Sequence, residues 1–416
     1  MSINNAFLKL RRQIISCLST LYSHEKTLDE LIENDFSNHE NRAWCVDVLS
    51  GVLRFKGRID FIINQFALKK KPAGFVRKAL QLAVYQILYH DQINEALVVL
   101  ETVELVKQQE GVKPSQFVNA LLRKISSQKE SWKKIEILDN TNLSEQAQIA
   151  SMEEWMWEKL VKQYGFKAAV QICNAFFDRP LIWTRHQSEL EINHEHFEKG
   201  PVPLSYLSTQ KGSILEREGF NEGSWIVQDL SSQIFIHGLY EKLIELKTDL
   251  SEVSVLDLCA APGGKTIALK WLGLNMTATD ISSTRLLKVK ENLKRVSLDQ
   301  KVEVLDFDLI ENSDQKFDII LLDAPCTSSG LLRRHPELRW NKFKKDFDQT
   351  LKTQSYLIKK SISKLNKGGY LAYSVCSLFE EECKDHFKDK DVVMNWKITP
   401  DQKGSPDGMQ ACLVRV

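Results

Sequence analysis

The sequence predicts a multidomain protein in which an all-helical N-terminal part precedes an α/β domain built on a mostly parallel, doubly wound sheet. Three observations predict it. The chain has 416 residues, more than one ordinary core serves, so two or three domains are expected. Residues from about 5 to 130 repeat their apolar positions at helical spacing. From about 253 onward the rhythm changes to strand, helix, strand.

In the first part Val76, Leu80, Ala83 and Ile87 mark one apolar stripe, and Leu97, Leu100, Val103 and Val106 mark another. Pro72, Gly74, Gly111 and Pro114 punctuate the helices. The polar run Asp139-Asn140-Thr141-Asn142-Leu143-Ser144-Glu145 is expected to be a linker. Helical periodicity covers 152–177, and short strand-like pieces such as 181–185 follow. In the last part the strand candidates are 253–258, 276–279, 302–305, 317–322 and 370–375, with helices at 284–296 and 343–366. The second of these is expected to be closed by Gly368-Gly369. The domains are therefore read as 1–138, 146–235 and 236–416.

Composition narrows the class. Hydrophobic residues at 43% and charged residues at 27% are those of a globular chain, neither disordered nor fibrous. The opening Met1-Ser2-Ile3-Asn4-Asn5 lacks the charged and apolar regions of a secretory signal, and no apolar run is long enough to span a bilayer. A cytoplasmic protein, monomeric and without a membrane partner, is expected. The net charge of +1 means that any nucleic-acid contact must come from local basic patches. The eight cysteines include no CxxC pair, which argues against a zinc ribbon or a disulfide framework and for free thiols; no metal is expected.

The sharpest local signal is Cys259-Ala260-Ala261-Pro262-Gly263-Gly264-Lys265, a small-residue turn between a buried strand and a helix. A triphosphate loop would need glycine at 259, where cysteine stands, and the dinucleotide pattern GxGxxG is absent. S-adenosylmethionine remains, and Asp280 at the end of the next strand suits its ribose hydroxyls.

Two strands end in thiols. One runs into Asp323-Ala324-Pro325-Cys326 and the other into Val375-Cys376-Ser377. A lone cysteine on an apolar strand is ordinarily a small buried hydrophobe. Two at the ligand-binding ends of parallel strands suit the methylation of C5 in a cytosine. That carbon becomes nucleophilic only after a thiolate adds to C6, which also calls for an acid near N3, such as Asp323, and a second thiol to assist release.

These residues resemble the RNA cytosine-C5 methyltransferase family, which includes bacterial small-subunit ribosomal RNA enzymes and eukaryotic nucleolar ones. The likeness covers nearly the whole chain and extends to 227–233 and 333–340. It implies Cys376 as nucleophile and Cys326 as the release-assisting thiol. It also implies cofactor contacts at Cys259 to Lys265, Asp280, Asp306 and Asp323. Val375 stands where threonine is usual in the family. The helical start is similar to a NusB-type RNA-binding domain, on Ile87-Leu88-Tyr89, Asn94-Glu95-Ala96 and 117–123. That pairing of domains implies a bacterial small-subunit rRNA enzyme, and the family also implies an RRM-like subdomain over 146–235.

RNA is the expected partner, through Lys69, Lys70, Lys71, Arg77 and Lys78 and through Arg333, Arg334 and Arg339, the latter placing positive charge beside the reacting base. The alternatives are a tRNA or DNA cytosine-C5 methyltransferase, the DNA enzymes placing the nucleophile in a Pro-Cys motif as at Cys326, or a non-catalytic RNA-binding factor.

Overall fold

The computed structural model describes residues 5–67, 71–90, 93–190, 195–210, 212–246, 249–340, 343–402 and 404–416. It contains two compact units: Met1–Arg179 with Leu332–Lys342, and Pro180–Leu331 with Phe343–Val416. The sequence reading placed its breaks near 138 and 235 instead. No helix among the described residues is long and apolar enough to cross a membrane.

The first unit is helical: α1 (Asn5–Tyr22), α2 (Leu28–Phe36), α3 (Arg42–Phe66), α4 (Gly74–Tyr89), α5 (Glu95–Glu110), α6 (Val112–Ser127), α7 (Lys129–Lys133), α8 (Leu143–Ala150), α9 (Glu154–Tyr164) and α10 (Phe166–Ala175). Its starts are locally encoded. Thr27 and Glu30 form a reciprocal capping box on α2, and Asn94 caps α5. Asn142 caps α8, so the polar run expected to be a linker is a turn over 139–142 that leads straight into a helix. Leu80, Ala83 and Ile87 are buried as their spacing predicts. The stripe through Leu97 and Leu100 is buried only at its end: Val106 is buried, Leu97 and Val103 are half-buried, and Leu100 is 41% exposed. A strict three-residue repeat loses 60° per step on a 3.6-residue helix and spirals off the buried face. The face that packs carries Val98, Thr102 and Leu105, together with Glu101, whose carboxylate accepts from the buried Arg11 Nε at 2.8 Å.

The second unit opens with a small antiparallel sheet, order β2-β3-β1-β4, from β1 (Trp183–His186), β2 (Phe197–Lys199), β3 (Ser205–Ser208) and β4 (Trp225–Val227). The Trp225 indole is 1% exposed and donates to the Glu218 carbonyl, so it belongs to the core. After α11 (Leu230–Leu246) come β5 (Ser254–Asp257), α12 (Gly264–Trp271), β6 (Asn275–Ala278), α13 (Ser283–Arg295), β7 (Glu303–Val304) and α14 (Phe307–Asn312). The chain continues through β8 (Phe317–Asp323), α15 (Phe343–Ser363), β9 (Leu365–Val375), β10 (Asp391–Ile398) and β11 (Met409–Arg415).

These strands form a seven-stranded sheet in the order β10-β11-β9-β8-β5-β6-β7. Strands β5 to β9 pair in parallel, as the alternation predicts, with helices supplying the crossovers. The antiparallel β10–β11 hairpin, which the sequence reading did not propose, extends the sheet beyond β9. The glycines expected to cap the long helix lie in β9 instead. A side chain at Gly369 would place its Cβ 2.8 Å from the Asp318 carbonyl, so the irregular start of β9 requires the glycine.

Candidate active site

The site lies where β5, β6, β8 and β9 end, at the carboxyl edge of the parallel sheet. The turn after β5 leads into α12, and Gly263 has φ +104, a left-handed conformation that only glycine adopts without strain. A cleft of about 520 Å³ is lined by Cys259, Ala260, Ala261, Pro262, Gly264 and Lys265, by Gln228 and Asp229 after β4, and by Asp257 and Asp323. The predicted loop thus forms one wall of a cavity.

Asp257 decides what that cavity suits. Its Oδ2 accepts from Thr266 Oγ1 at 2.6 Å, while its buried Oδ1 has no partner. Burial pushes this carboxyl up to about 7, only partly offset by the Thr266 hydrogen bond. A buried acceptor left open in a cleft wall fits a ligand carrying a donor or a positive charge, as the amino-acid end and sulfonium of S-adenosylmethionine do. Asp280, at the end of β6, is 2% exposed and turned onto the same loop, its Oδ2 accepting from Ala261 N at 3.3 Å. Asp306 is exposed just before α14, beyond the end of β7.

The two predicted thiols meet. Strands β8 and β9 are parallel neighbours with Asp323 opposite Ser374, so the turns that follow them lie side by side. Cys326 Sγ is 3.1 Å from Cys376 Sγ, and Ser328 Oγ is 3.4 Å from Cys376 Sγ. The pair is asymmetric. The hydrogen bond from Cys326 holds the Cys376 thiol below its ordinary range against the cost of burial, with Ser328 and Lys265 adding to the effect. The same hydrogen bond pushes Cys326 well up, as do burial and the neighbouring Cys376 and Glu382 charges. Of the two, Cys376 is the sulfur whose surroundings favour the thiolate.

Asp323 is engaged as an acceptor on both oxygens, from Lys265 Nζ at 2.5 Å and from Ser374 Oγ at 2.7 Å. Burial works against the Lys265 charge, but Asp323 more than offsets it and holds the ammonium above its ordinary value. Asp323, expected as the acid near N3, is thus joined in this corner by Lys265, a second group able to donate a proton.

Glu382 escaped the sequence reading because it stands in an acidic run, Glu380-Glu381-Glu382, of the kind that ordinarily forms a solvated face. It is fully buried and accepts from Thr327 N at 2.8 Å, Thr327 Oγ1 at 2.5 Å and Ser377 Oγ. Gly330 closes the first turn against the strand end, its N–H donating to the Cys376 carbonyl at 3.0 Å. A Cβ there would sit 2.0 Å from the Gly408 carbonyl oxygen. Gly330→Ala is expected to cost about 2–3 kcal/mol, as overpacking against backbone does, read from the denaturant midpoint.

The basic residues fare differently. Arg333 and Arg339 are 1% and 0% exposed and Arg334 is half-buried, in the segment that belongs to the helical unit. The Arg339 guanidinium is committed to backbone carbonyls, so Arg333 and Arg339 are core side chains and not an RNA surface. Arg77 is paired with Asp60 at 2.8 Å and bound to Asn64, which removes it from the expected cluster. Lys71 is exposed, Lys78 is half-buried, and Lys69 and Lys70 lie outside the described residues.

Comparison with known proteins agrees with both units. Residues 244–404 match the family model described as 16S rRNA methyltransferase RsmB/F, and residues 8–127 match the NusB family. The ribosomal RNA small subunit methyltransferase B of Photorhabdus laumondii is 30% identical, over 80% of this chain and 77% of that protein. The probable ribosomal RNA small subunit methyltransferase B of Bacillus subtilis is 28% identical, over 85% of this chain and 81% of that protein. The crystal structure of PH0851 superposes with a TM-score of 0.69 at 21% identity, covering 100% of both chains, and so shares the fold. With a relative at 30% identity across most of both chains, this protein belongs to the RsmB/F family of 16S rRNA methyltransferases, S-adenosylmethionine-dependent enzymes, and carries a NusB-family helical region before its catalytic sheet.

Proposed function

We infer that the chain methylates C5 of one cytosine in small-subunit rRNA through a covalent bond between Cys376 and C6. The observation that carries this reading is the pair of sulfurs 3.1 Å apart at the ends of adjacent parallel strands, beside the Lys265–Asp323 ion pair.

The residues that fit S-adenosylmethionine are Cys259 to Lys265, with Asp257 facing the cleft and Asp280 behind the loop. When bound, that group supplies a methyl made electrophilic by the sulfonium. The Cys376 thiolate, stabilised by the Cys326 thiol, adds to C6 and turns C5 into an enamine carbon. Lys265 is placed to give a proton or hydrogen bond to the base as negative charge develops on it, and Asp323 orients the ammonium.

Once Cys376 is bonded to carbon it carries no charge. The hydrogen bond and the Cys376 charge that held Cys326 protonated are gone, and burial and Glu382 alone still oppose its ionisation. Cys326, once it has lost its proton to solvent, takes the C5 proton, and the C5–H electrons restore the C5–C6 double bond as the C6–S bond breaks and Cys376 leaves as thiolate. The target base must stand outside a helix to reach these sulfurs.

The test is transfer of labelled methyl from S-adenosylmethionine to deproteinised small-subunit rRNA, followed by nucleoside analysis. Label in 5-methylcytosine at one position supports the reading. Label in tRNA alone would move the substrate, and no label in any RNA would leave a binding function.

A further inference from the structure

We propose that Glu382 is the positioning residue that ties the two thiol-bearing turns together and thereby holds the two sulfurs in the contact that makes them unequal. The proposal rests on the reading of Cys376 and Cys326 as the reacting pair. Its test, however, does not depend on finding the RNA substrate.

Thr327 follows Cys326 in the chain, and Ser377 follows Cys376. Both donate to the one Glu382 carboxylate: Thr327 through its N–H at 2.8 Å and its hydroxyl at 2.5 Å, Ser377 through its hydroxyl. A fourth donor, Gln354 Nε2 at 3.1 Å, comes from α15 and also holds the Pro325 carbonyl at 2.9 Å. His386 Nε2 lies 3.0 Å from Gln354 Oε1 and so backs that amide. The carboxylate itself is held in place through its own backbone, whose carbonyl accepts from the Tyr373 hydroxyl of β9 at 2.8 Å.

No lysine, arginine or histidine pairs with Glu382 among the described residues. All four hydrogen-bond donors are aimed at this buried carboxyl group. Its charge adds to the causes that disfavour ionisation of Cys326.

That charge is not felt equally. The groups facing the pair are Lys265 from α12, Asp323 from β8, Ser328 from the first turn and Glu382. The anion disfavours ionisation of Cys326, whereas the Lys265 ammonium favours ionisation of Cys376. The hydrogen bond between the sulfurs is the first cause of their asymmetry, and Glu382 adds to it on the Cys326 side while fixing the turns that bring the sulfurs together. The same bonds set the sulfur–sulfur separation, because Thr327 and Ser377 cannot move apart without breaking them.

Glu382→Gln keeps the size but turns donors toward donors, since an amide nitrogen cannot accept from Thr327 or Gln354. The experiment is alkylation of the full-length folded protein by iodoacetamide at neutral pH, with the labelled peptides mapped by mass spectrometry. In the native protein Cys376 should react ahead of Cys326. In Glu382→Gln that lead should shrink by roughly tenfold, the equivalent of one pKa unit. Affinity for S-adenosylmethionine, measured by titration, should stay within about twofold, since Glu382 does not line the cofactor cleft. Thr327→Ser, which keeps the hydroxyl, should behave as the native protein, and Thr327→Val should lose part of the selectivity. A folded Glu382→Gln protein with the native Cys376 to Cys326 ratio would overturn the proposal. Should Glu382→Gln not fold, the Thr327 pair decides, and equal selectivity in serine and valine variants would overturn it. Absence of methyl transfer by the native protein would instead count against the proposed reaction alone.

Discussion

Cys376→Ala is expected to abolish methyl transfer, at least roughly ten-thousand-fold in kcat, because removing a covalent catalyst removes the route rather than one stabilising contact. Cofactor affinity should be unchanged, since Cys376 is not among the residues lining the cofactor cleft. Cys326→Ala should fail differently. The nucleophile remains, but the thiol that frees the product is gone, so a protein–RNA adduct stable to denaturant gels should accumulate. Removing Cys326 also removes the hydrogen bond that holds Cys376 below its ordinary range, so adduct formation itself should slow at low pH.

In the native enzyme kcat/KM should rise with pH as the Cys376 thiol ionises. It should level off below the ordinary thiol range, because the folded site favours the thiolate. A dead Cys326→Ala protein beside an active Cys376→Ala protein would reverse the roles and match the Pro-Cys order of DNA enzymes.

Arg339→Ala is the second large effect, and it falls on stability. Arg339 lies in a segment of the catalytic sequence that packs inside the helical unit. Its guanidinium donates to the carbonyls of Arg54, Ser151 and Phe176 at 3.2, 3.3 and 2.6 Å, and its Nε to that of Leu332 at 3.4 Å. The same group lies 5.2 Å from the Phe177 ring centroid, while Trp340 donates to the Leu53 carbonyl at 2.7 Å. Alanine would leave a cavity and strand several buried carbonyls, a combined cost of about 3–5 kcal/mol. Arg339→Lys should recover little, because an ammonium does not present the planar fork that reaches carbonyls of α3 and of the residues that end α8 and α10 together. Denaturant unfolding with hydrogen exchange would show it as lost protection in α3, α8 and α10. A shift under about 1 kcal/mol would mean that residues 332–342 are only draped over the unit.

Much of the catalytic half was legible because its signals are local. The turn from Cys259 to Lys265 joins a strand to a helix within a few residues, and its glycines mark the conformation the backbone must adopt. The two thiols stand at the ends of recognisable apolar runs, and parallel neighbours bring such ends together. What failed was the reading of Arg333 and Arg339 as a basic surface, and Glu382 was passed over, because a run of charges carries no record of its partners. Those partners are far away in the chain: Arg339 and the Arg54 carbonyl are 285 positions apart, and Glu382 and Thr327 are 55 apart.

The sequence by itself determined the two kinds of secondary-structure rhythm, the cofactor turn and the two candidate sulfurs, since each depends on periodicity or on a few adjacent residues. Only the tertiary structure decided that the two sulfurs meet, that Lys265 pairs with Asp323 and which charged side chains are core. An ionisable group takes its state from the donors, charges and solvent that surround it, and those come from folding distant segments together.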